Sequence, residues 1–259
     1  MERKSFFSNK FERSDLESKA SSNRIDDRWL AAVALSRVLE TWAFDLLQEL
    51  KTDRDESTRS AALASLRHFP REYFDRFRGG EAAGQDTEFS PGIWKLKPLP
   101  EYEHELRDLF LAAVLDLVGT EGPVTGSRIQ SMLTKASIIG GGGKVSKGRT
   151  RTILIELLNS NLLTRADSQL SNDDIDLWIV HQPGSPAFVL RRRMGRELVE
   201  IPVNEARAVL ENSTKFRRNP KNRDAAFRIL MDHYEIKQNE FFLVGEAMAL
   251  QWQTLFDAL

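Results

Sequence analysis

The 259-residue chain contains no cysteine, which excludes disulfides, thiolate metal ligands and a thiol nucleophile. Long apolar runs are also missing. Stretches such as LAAVAL and FLAAVLDLV fall well short of the roughly 20 residues that cross a bilayer. The first residues, MERKSFFSNKFERSD, lack the apolar centre of a secretion signal. Histidine is scarce: His68, His104, His181 and His233 stand apart, and no two share the spacing of metal ligands. His181 reads as the rim of a strand and His233 as a surface or half-buried residue of a helix. The patterns G-x-S-x-G, H-E-x-x-H and the glycine-rich dinucleotide fingerprint are absent. The acids Asp173, Asp174 and Asp176 are compatible with a nuclease metal site, but their polar setting fits a solvated turn better. A soluble cytoplasmic protein is expected, with no membrane partner, no metal, no cofactor and no enzymatic activity.

Charge is balanced overall, at −1, but unevenly distributed. Between Gly126 and Arg165 seven bases, Arg128, Lys135, Lys144, Lys147, Arg149, Arg151 and Arg165, face the single acid Glu156, a net of +6. A second cluster contains Lys215, Arg217, Arg218, Lys221, Arg223 and Arg228 against Asp224, a net of +5. RRRMGR, with Arg191, Arg192, Arg193 and Arg196, lies between them. Clustered charge on a neutral chain creates a local field that attracts phosphate groups. The same residues would also serve as solvated faces answered by acids elsewhere in the fold.

Hydrophobic periodicity predicts an α-rich α+β protein. Residues 1–24 are polar and read as a flexible arm, and 25–92 as a helical region ending in a linker. From Arg28 to Leu50 the recurrence of Leu35, Val38, Leu39, Trp42 and Leu46 predicts one long helix. A second helix spans Glu56 to His68 and stops before Pro70. REYFDRF reads as a short helical turn, RGGEAAGQDTEFSPG as a linker, and IWKLKPLPEY as an extended segment stiffened by Pro98 and Pro100. A domain boundary is expected near residues 80–100, with a central module over 93–200 and a helical C-terminal region over 201–259. In that last region VNEARAVLEN, capped by Asn204, and a helix opened by Asn219 and Pro220 precede the apolar EFFLVGEAMALQWQTLFDAL.

The central module is the most patterned. HELRDLFLAAVLDLV predicts an amphipathic helix, GTEGPVT a turn, and SRIQSMLTKA a helix capped by Thr125 or Ser127. A third helix runs from about Lys147 to Ser160, capped by Ser146, with Ile153, Leu154, Leu157 and Leu158 buried. LLTRA and DLWIVHQ then predict two strands of a small antiparallel hairpin joined by the polar turn SQLSNDDID. On GRTRTILIELLNSNLLTRADSQLSNDDIDLWIV, residues 104–181 resemble the winged-helix family. That resemblance implies a third helix that enters a major groove and a wing that lies along the nucleic-acid backbone. The long glycine-rich loop before the third helix departs from the usual form. The stretch from EGPVTGSRIQ to ELVEIPVNEARAVL is similar to helicase-associated accessory domains of large bacterial DNA-processing proteins.

IIGGGGKVSKGRTRT, Ile138 to Thr152, leads into that third helix. As a phosphate loop it fails in both registers: GKVSKGRT places Arg149 where lysine belongs, and the alternative register starts on Ile138 instead of glycine. As an approach to nucleic acid it asks for less. Lys144, Lys147, Arg149 and Arg151 crowd a helix start, where free amides and the helix dipole favour an anion, and Thr152 and Ile155 turn outward. The expected nucleic-acid-binding residues are Lys144, Lys147, Arg149, Arg151, Thr152, Arg128, Arg191, Arg192, Arg193, Arg217 and Arg218. The function expected is a non-enzymatic accessory protein that binds duplex DNA within a larger DNA-processing or regulatory assembly. The alternatives are an adaptor that docks on an ATPase, helicase or nuclease subunit, and a nucleotide-binding protein. A protein partner subunit, and a second copy of the chain, are compatible with this reading.

Overall fold

In the computed structural model, residues 11–70, 73, 92–103, 106–166, 175–185, 188–193, 195–197, 200–219 and 222–236 are described. The polar start, the REYFDRF turn and linker (apart from Tyr73 and Gly92), His104, the turn with Asp173 and Asp174, and the apolar final segment lie outside them. The chain is mostly helical with one small three-stranded antiparallel sheet, an α+β arrangement dominated by helix. It divides into two compact units, one within residues 1–121 and 132–162, the other within 122–131 and 163–259. Among the described residues no helix is long and apolar enough to cross a membrane.

The first unit holds α1 (Arg13–Ala20), α2 (Ile25–Leu35), α3 (Thr41–Leu50), α4 (Glu56–Leu66), α5 (Arg107–Glu121) and α7 (Lys147–Asn159). Between α5 and α7 comes α6 (Gly126–Ile139), whose residues from Met132 onward belong to this unit. Part of the expected arm is α1: Leu16 is fully buried, and α1 packs on α2. The single helix expected from Arg28 to Leu50 is two. After Leu35 the amides of Ser36, Arg37 and Val38 bond three residues back, and Glu40 takes an extended conformation before α3. This break shifts the buried stripe, so α3 buries Ala43, Phe44, Leu47 and Leu50 while Leu39 is exposed. The helix expected from Glu56 to His68 is α4, which starts at Glu56 and ends two residues early, at Leu66. Asp55 caps α4 by accepting from the Thr58 amide at 2.8 Å, and three-residue bonds finish it ahead of Pro70.

Helix α5 departs from the expected amphipathic pattern, because every residue from Leu109 to Glu121 is buried. It packs on α2, α4 and α7. A helix enclosed on all sides must satisfy its polar side chains internally. Asp116 does so by accepting from the indole N–H of Trp29 at 3.2 Å and of Trp94 at 3.0 Å. Glu121 accepts from the Trp94 amide at 3.1 Å. Trp94 belongs to the extended segment 92–103, here the strap, as its prolines predict. Lys97 of the strap lies 3.9 Å from the centre of the Trp29 ring and pairs with Asp26 at 3.1 Å. Further along α2, Arg28 bonds Asp53 at 2.7 Å.

The second unit contains the sheet and the C-terminal helices. Its strands are β1 (Val124–Thr125), β2 (Thr164–Arg165) and β3 (Ile179–His181), in the order β1-β3-β2, both pairings antiparallel. The expected hairpin is β2 and β3; β1 lies where the sequence predicts a turn. Gly122, at φ +80°, turns the chain out of α5 so that Val124 pairs with Val180. A 3-10 turn, Ile175–Leu177, precedes β3. Helices α8 (Val203–Asn212), α9 (Thr214–Arg218) and α10 (Arg223–Tyr234) enclose Ile201, Leu210, Phe216, Leu230 and Tyr234. The expected caps move slightly: Pro202 precedes α8, and Asn222 caps α10 by accepting from Ala225 at 3.0 Å. Helix α9 has no counterpart in the sequence reading; Ser213 starts it and Phe216 anchors it.

Two titratable groups of the first unit, the buried Asp116 and the half-buried His68, predict opposing pH effects. Burial pushes Asp116 up to about 6, partly opposed by the two indoles and by Lys97. It therefore holds its proton more tightly folded than unfolded, and its contribution falls as pH rises from about 4 to about 6. Burial, aided by the charges of Arg37 and Arg67, pushes His68 down to about 4. Its contribution is complete above about pH 6.5 and is lost as pH falls toward 4. Each displacement corresponds to about 3 kcal/mol, so the two nearly cancel. Relative to the unaltered chain, Asp116→Asn should lose stability on acidification and His68→Gln should gain it. Urea unfolding between pH 4 and 7 measures both, and profiles of the same sign would contradict the assignment.

Candidate nucleic-acid interface

Four glycines open the segment that leads to α7, and three have structural tasks. Helix α6 ends in a Schellman arrangement. The Gly142 amide donates to Ser137 O at 2.8 Å, and that of Gly141, at φ +88°, donates to Ile138 O at 3.1 Å. The strap crosses above it, with the Leu99 amide bonded to Ala136 O at 2.9 Å. A β-carbon on Gly140 would collide with the Leu99 backbone, and one on Gly142 would come within 2.9 Å of the Glu101 Cα. Gly143 has open space. The stretch is therefore helix, loop, helix, with ASII closing α6 and not forming a strand. The amides of Gly140, Gly141 and Gly142 are already engaged within the chain, which leaves no strand-loop-helix cradle for a nucleotide phosphate.

Helix α7 starts as its sequence predicts. Ser146 caps it by accepting from the Arg149 amide at 3.3 Å, and Ile153, Leu154 and Leu157 are buried. Leu158 is only partly covered, while Thr150, not singled out from sequence, is fully buried. Asn161 ends the helix at φ +54°, with the Leu162 amide bonded to Leu157 O at 2.9 Å. Around the start, Lys144, Lys147 and Arg149 are exposed, and Arg151 is half-buried. Thr152 is exposed, and its hydroxyl donates to Gly148 O at 3.1 Å. Glu156, the acid of the basic segment, is paired with Arg107. The Arg149 guanidinium lies over the Tyr102 ring of the strap, 4.9 Å from its centre. Tyr102 and Phe110 meet edge to face at 4.9 Å. Sequence reading missed Tyr102. Its signal was an aromatic side chain at the end of a proline-stiffened segment, with nothing local to indicate which basic residue it would meet.

Other expected residues serve the second unit internally. Arg128 is 3% exposed and pairs with the buried Glu200 at 3.1 Å. Arg191, at 7%, bonds Pro123 O at 2.8 Å and lies 3.4 Å from Glu205. Arg196 grips both oxygens of Glu205 at 2.8 Å, and the Tyr234 hydroxyl donates to the same carboxylate at 3.4 Å. Burial and the nearby Glu205 charge push the Tyr234 hydroxyl well above its ordinary range. Arg193 donates to Arg196 O at 2.8 Å, and the exposed Arg192 to His233 O at 3.0 Å. RRRMGR is thus a structural connector, and Arg128 and Arg191 do not offer their charge to a ligand, because desolvated guanidinium groups are held by their carboxylates. Lys215, Arg217 and Arg218 are exposed on α9. His181 is buried instead of at a rim and lies 3.0 Å from Gln182 O through Nδ1. Among the described residues no group of three or more histidines or acids is arranged to hold a metal ion.

Three substitutions test these packings. Gly140→Ala should cost about 1–3 kcal/mol through collision with the strap, whereas Gly143→Ala should be nearly neutral. Equilibrium denaturation distinguishes them, and equal losses would contradict the packing argument. Removing the shared acid with Glu205→Ala should cost about 3–5 kcal/mol by stranding buried cations. A thermal or urea unfolding curve coincident with that of the unaltered chain would contradict it.

Set against known proteins, the chain matches no family model, no curated protein and no solved structure.

Proposed function

We propose that the protein is a non-enzymatic, cytoplasmic nucleic-acid-binding protein that contacts duplex DNA through the start of α7 and serves a larger DNA-processing assembly. The observation that carries the reading is the exposed cationic group Lys144, Lys147 and Arg149 at a serine-capped helix N-terminus. The helix dipole adds to the field of the side chains there, and arginine forks onto phosphate oxygens or guanine edges. The element order also supports a winged-helix module: helix, strand, two helices, then two strands, with the first strand paired to the last. On this reading α7 is the recognition helix. The exposed Lys215, Arg217 and Arg218 of the second unit are a further basic group suited to phosphates.

A second reading, docking on a protein subunit such as an ATPase, helicase or nuclease, is favoured by Ile138, Ile139 and Ile155. These apolar side chains are exposed in the same unit as the basic helix start. Salt separates the two, because phosphate neutralisation releases counterions whereas apolar docking does not. The triple variant Lys147→Ala, Arg149→Ala, Arg151→Ala should weaken duplex binding and make the slope of log K against log salt shallower by about two to three. Fluorescence anisotropy across a salt series measures this, with circular dichroism and the unfolding midpoint as folding controls. Unchanged affinity in the folded variant would overturn the reading.

A further inference from the structure

We propose that Tyr102 is a positioning residue that presents Arg149 as a preformed phosphate fork, a role that rests on the nucleic-acid reading above. Three observations converge on this pair. The Tyr102 ring lies beneath the Arg149 guanidinium at 4.9 Å and meets the fully buried Phe110 edge to face at 4.9 Å, so the platform is tied to α5. The strap that carries it is fixed three residues earlier at Leu99, whose amide donates to Ala136 O and whose backbone occupies the space beside Gly140. The Arg149 backbone is held independently by the Ser146 cap. Both ends of the Arg149 side chain are thereby restrained. Among the described residues Arg149 is in no ion pair, so none of their carboxylates answers its charge.

A guanidinium held over an aromatic face by cation–π attraction keeps its N–H donors for other acceptors, since the ring offers no lone pair to occupy them, and two of them suit two phosphate oxygens. Restricting the side chain before binding removes part of the ordering cost that a free arginine would meet on contact. Lysine cannot take the role, since an ammonium group has no plane to stack and no fork to present. Tyr102 thus acts through Arg149 and need not touch the nucleic acid. Because phosphates carry no base identity, its effect is the same on duplexes of any sequence.

The test combines binding with a direct view of the stack. Tyr102→Leu keeps an apolar contact for Phe110 and removes the aromatic face, whereas Tyr102→Phe keeps the face. Tyr102→Leu should weaken binding of a duplex DNA probe about three- to five-fold, equally on two unrelated sequences, and Tyr102→Phe should restore it. In an Arg149→Ala background Tyr102→Leu should cause no further loss, the signature of a coupled pair. In nitrogen-15 spectra of the free protein, the Arg149 Nε–H signal should carry a ring-current shift that Tyr102→Leu abolishes. Weakened binding in Arg149→Ala with normal binding in Tyr102→Leu, or an additive double variant, overturns the positioning role and leaves the nucleic-acid reading standing. Absence of salt-dependent duplex binding in the unaltered chain overturns both.

Discussion

Helix α5 is enclosed over its whole length from Leu109, yet it carries Asp116 and Glu121 into that enclosure, and the first unit is organised around satisfying them. An unpaired carboxylate there would cost several kcal/mol. Trp29 from α2 and Trp94 from the strap supply the donors to Asp116, and the Trp94 amide supplies one to Glu121. Indoles suit the task, since each buries a large apolar surface and directs a single N–H at the acid. The consequence reaches further along the strap. With Trp94 fixed on α5, the following residues run past the end of α6, where the Leu99 amide donates to Ala136 O and Tyr102 comes to lie under Arg149.

The arginine and lysine clusters illustrate how little charge density says about charge availability. RRRMGR is the densest basic run of the chain, but Arg191 and Arg196 share Glu205 in the interior, and Arg128 is matched by Glu200. Buried ion pairs of this kind fix the geometry of a connector more than they add stability. The sparser bases before and within the first turn of α7 include Lys144, Lys147 and Arg149, all exposed. A helix start preceded by glycine has few neighbours to cover it. The same geometry explains the glycine run, in which one residue adopts the left-handed turn that stops α6 and two lie where the strap leaves no room for a β-carbon.

Much of the fold was legible from periodicity and caps alone. The starts of α4 and α6, the extents of α7 and α8, the extended strap, and the strands β2 and β3 follow from local signals, namely capping side chains, prolines and apolar spacing. The basic start of α7 was legible for the same reason. What was not legible depended on distant partners. The break after Leu35 leaves a helical pattern intact through a turn, so the stripe predicted Leu39 inside where the structure exposes it. The strand at Val124 is two residues long and exists because Val180 pairs with it. The short α9 and the coverage of α1 likewise come from packing.

The sequence by itself determined the helical character of the chain, the absence of thiol chemistry and the position of a capped, basic helix start, because these depend on residue type and on neighbours within a few positions. Tertiary structure alone decided which cations are spent in the interior and which are presented, and that an aromatic ring from a separate segment lies beneath Arg149. The physical reason is desolvation: whether a charge is paired or offered depends on what the fold brings against it, and residues as far apart as Arg128 and Glu200 carry no local signal of their meeting.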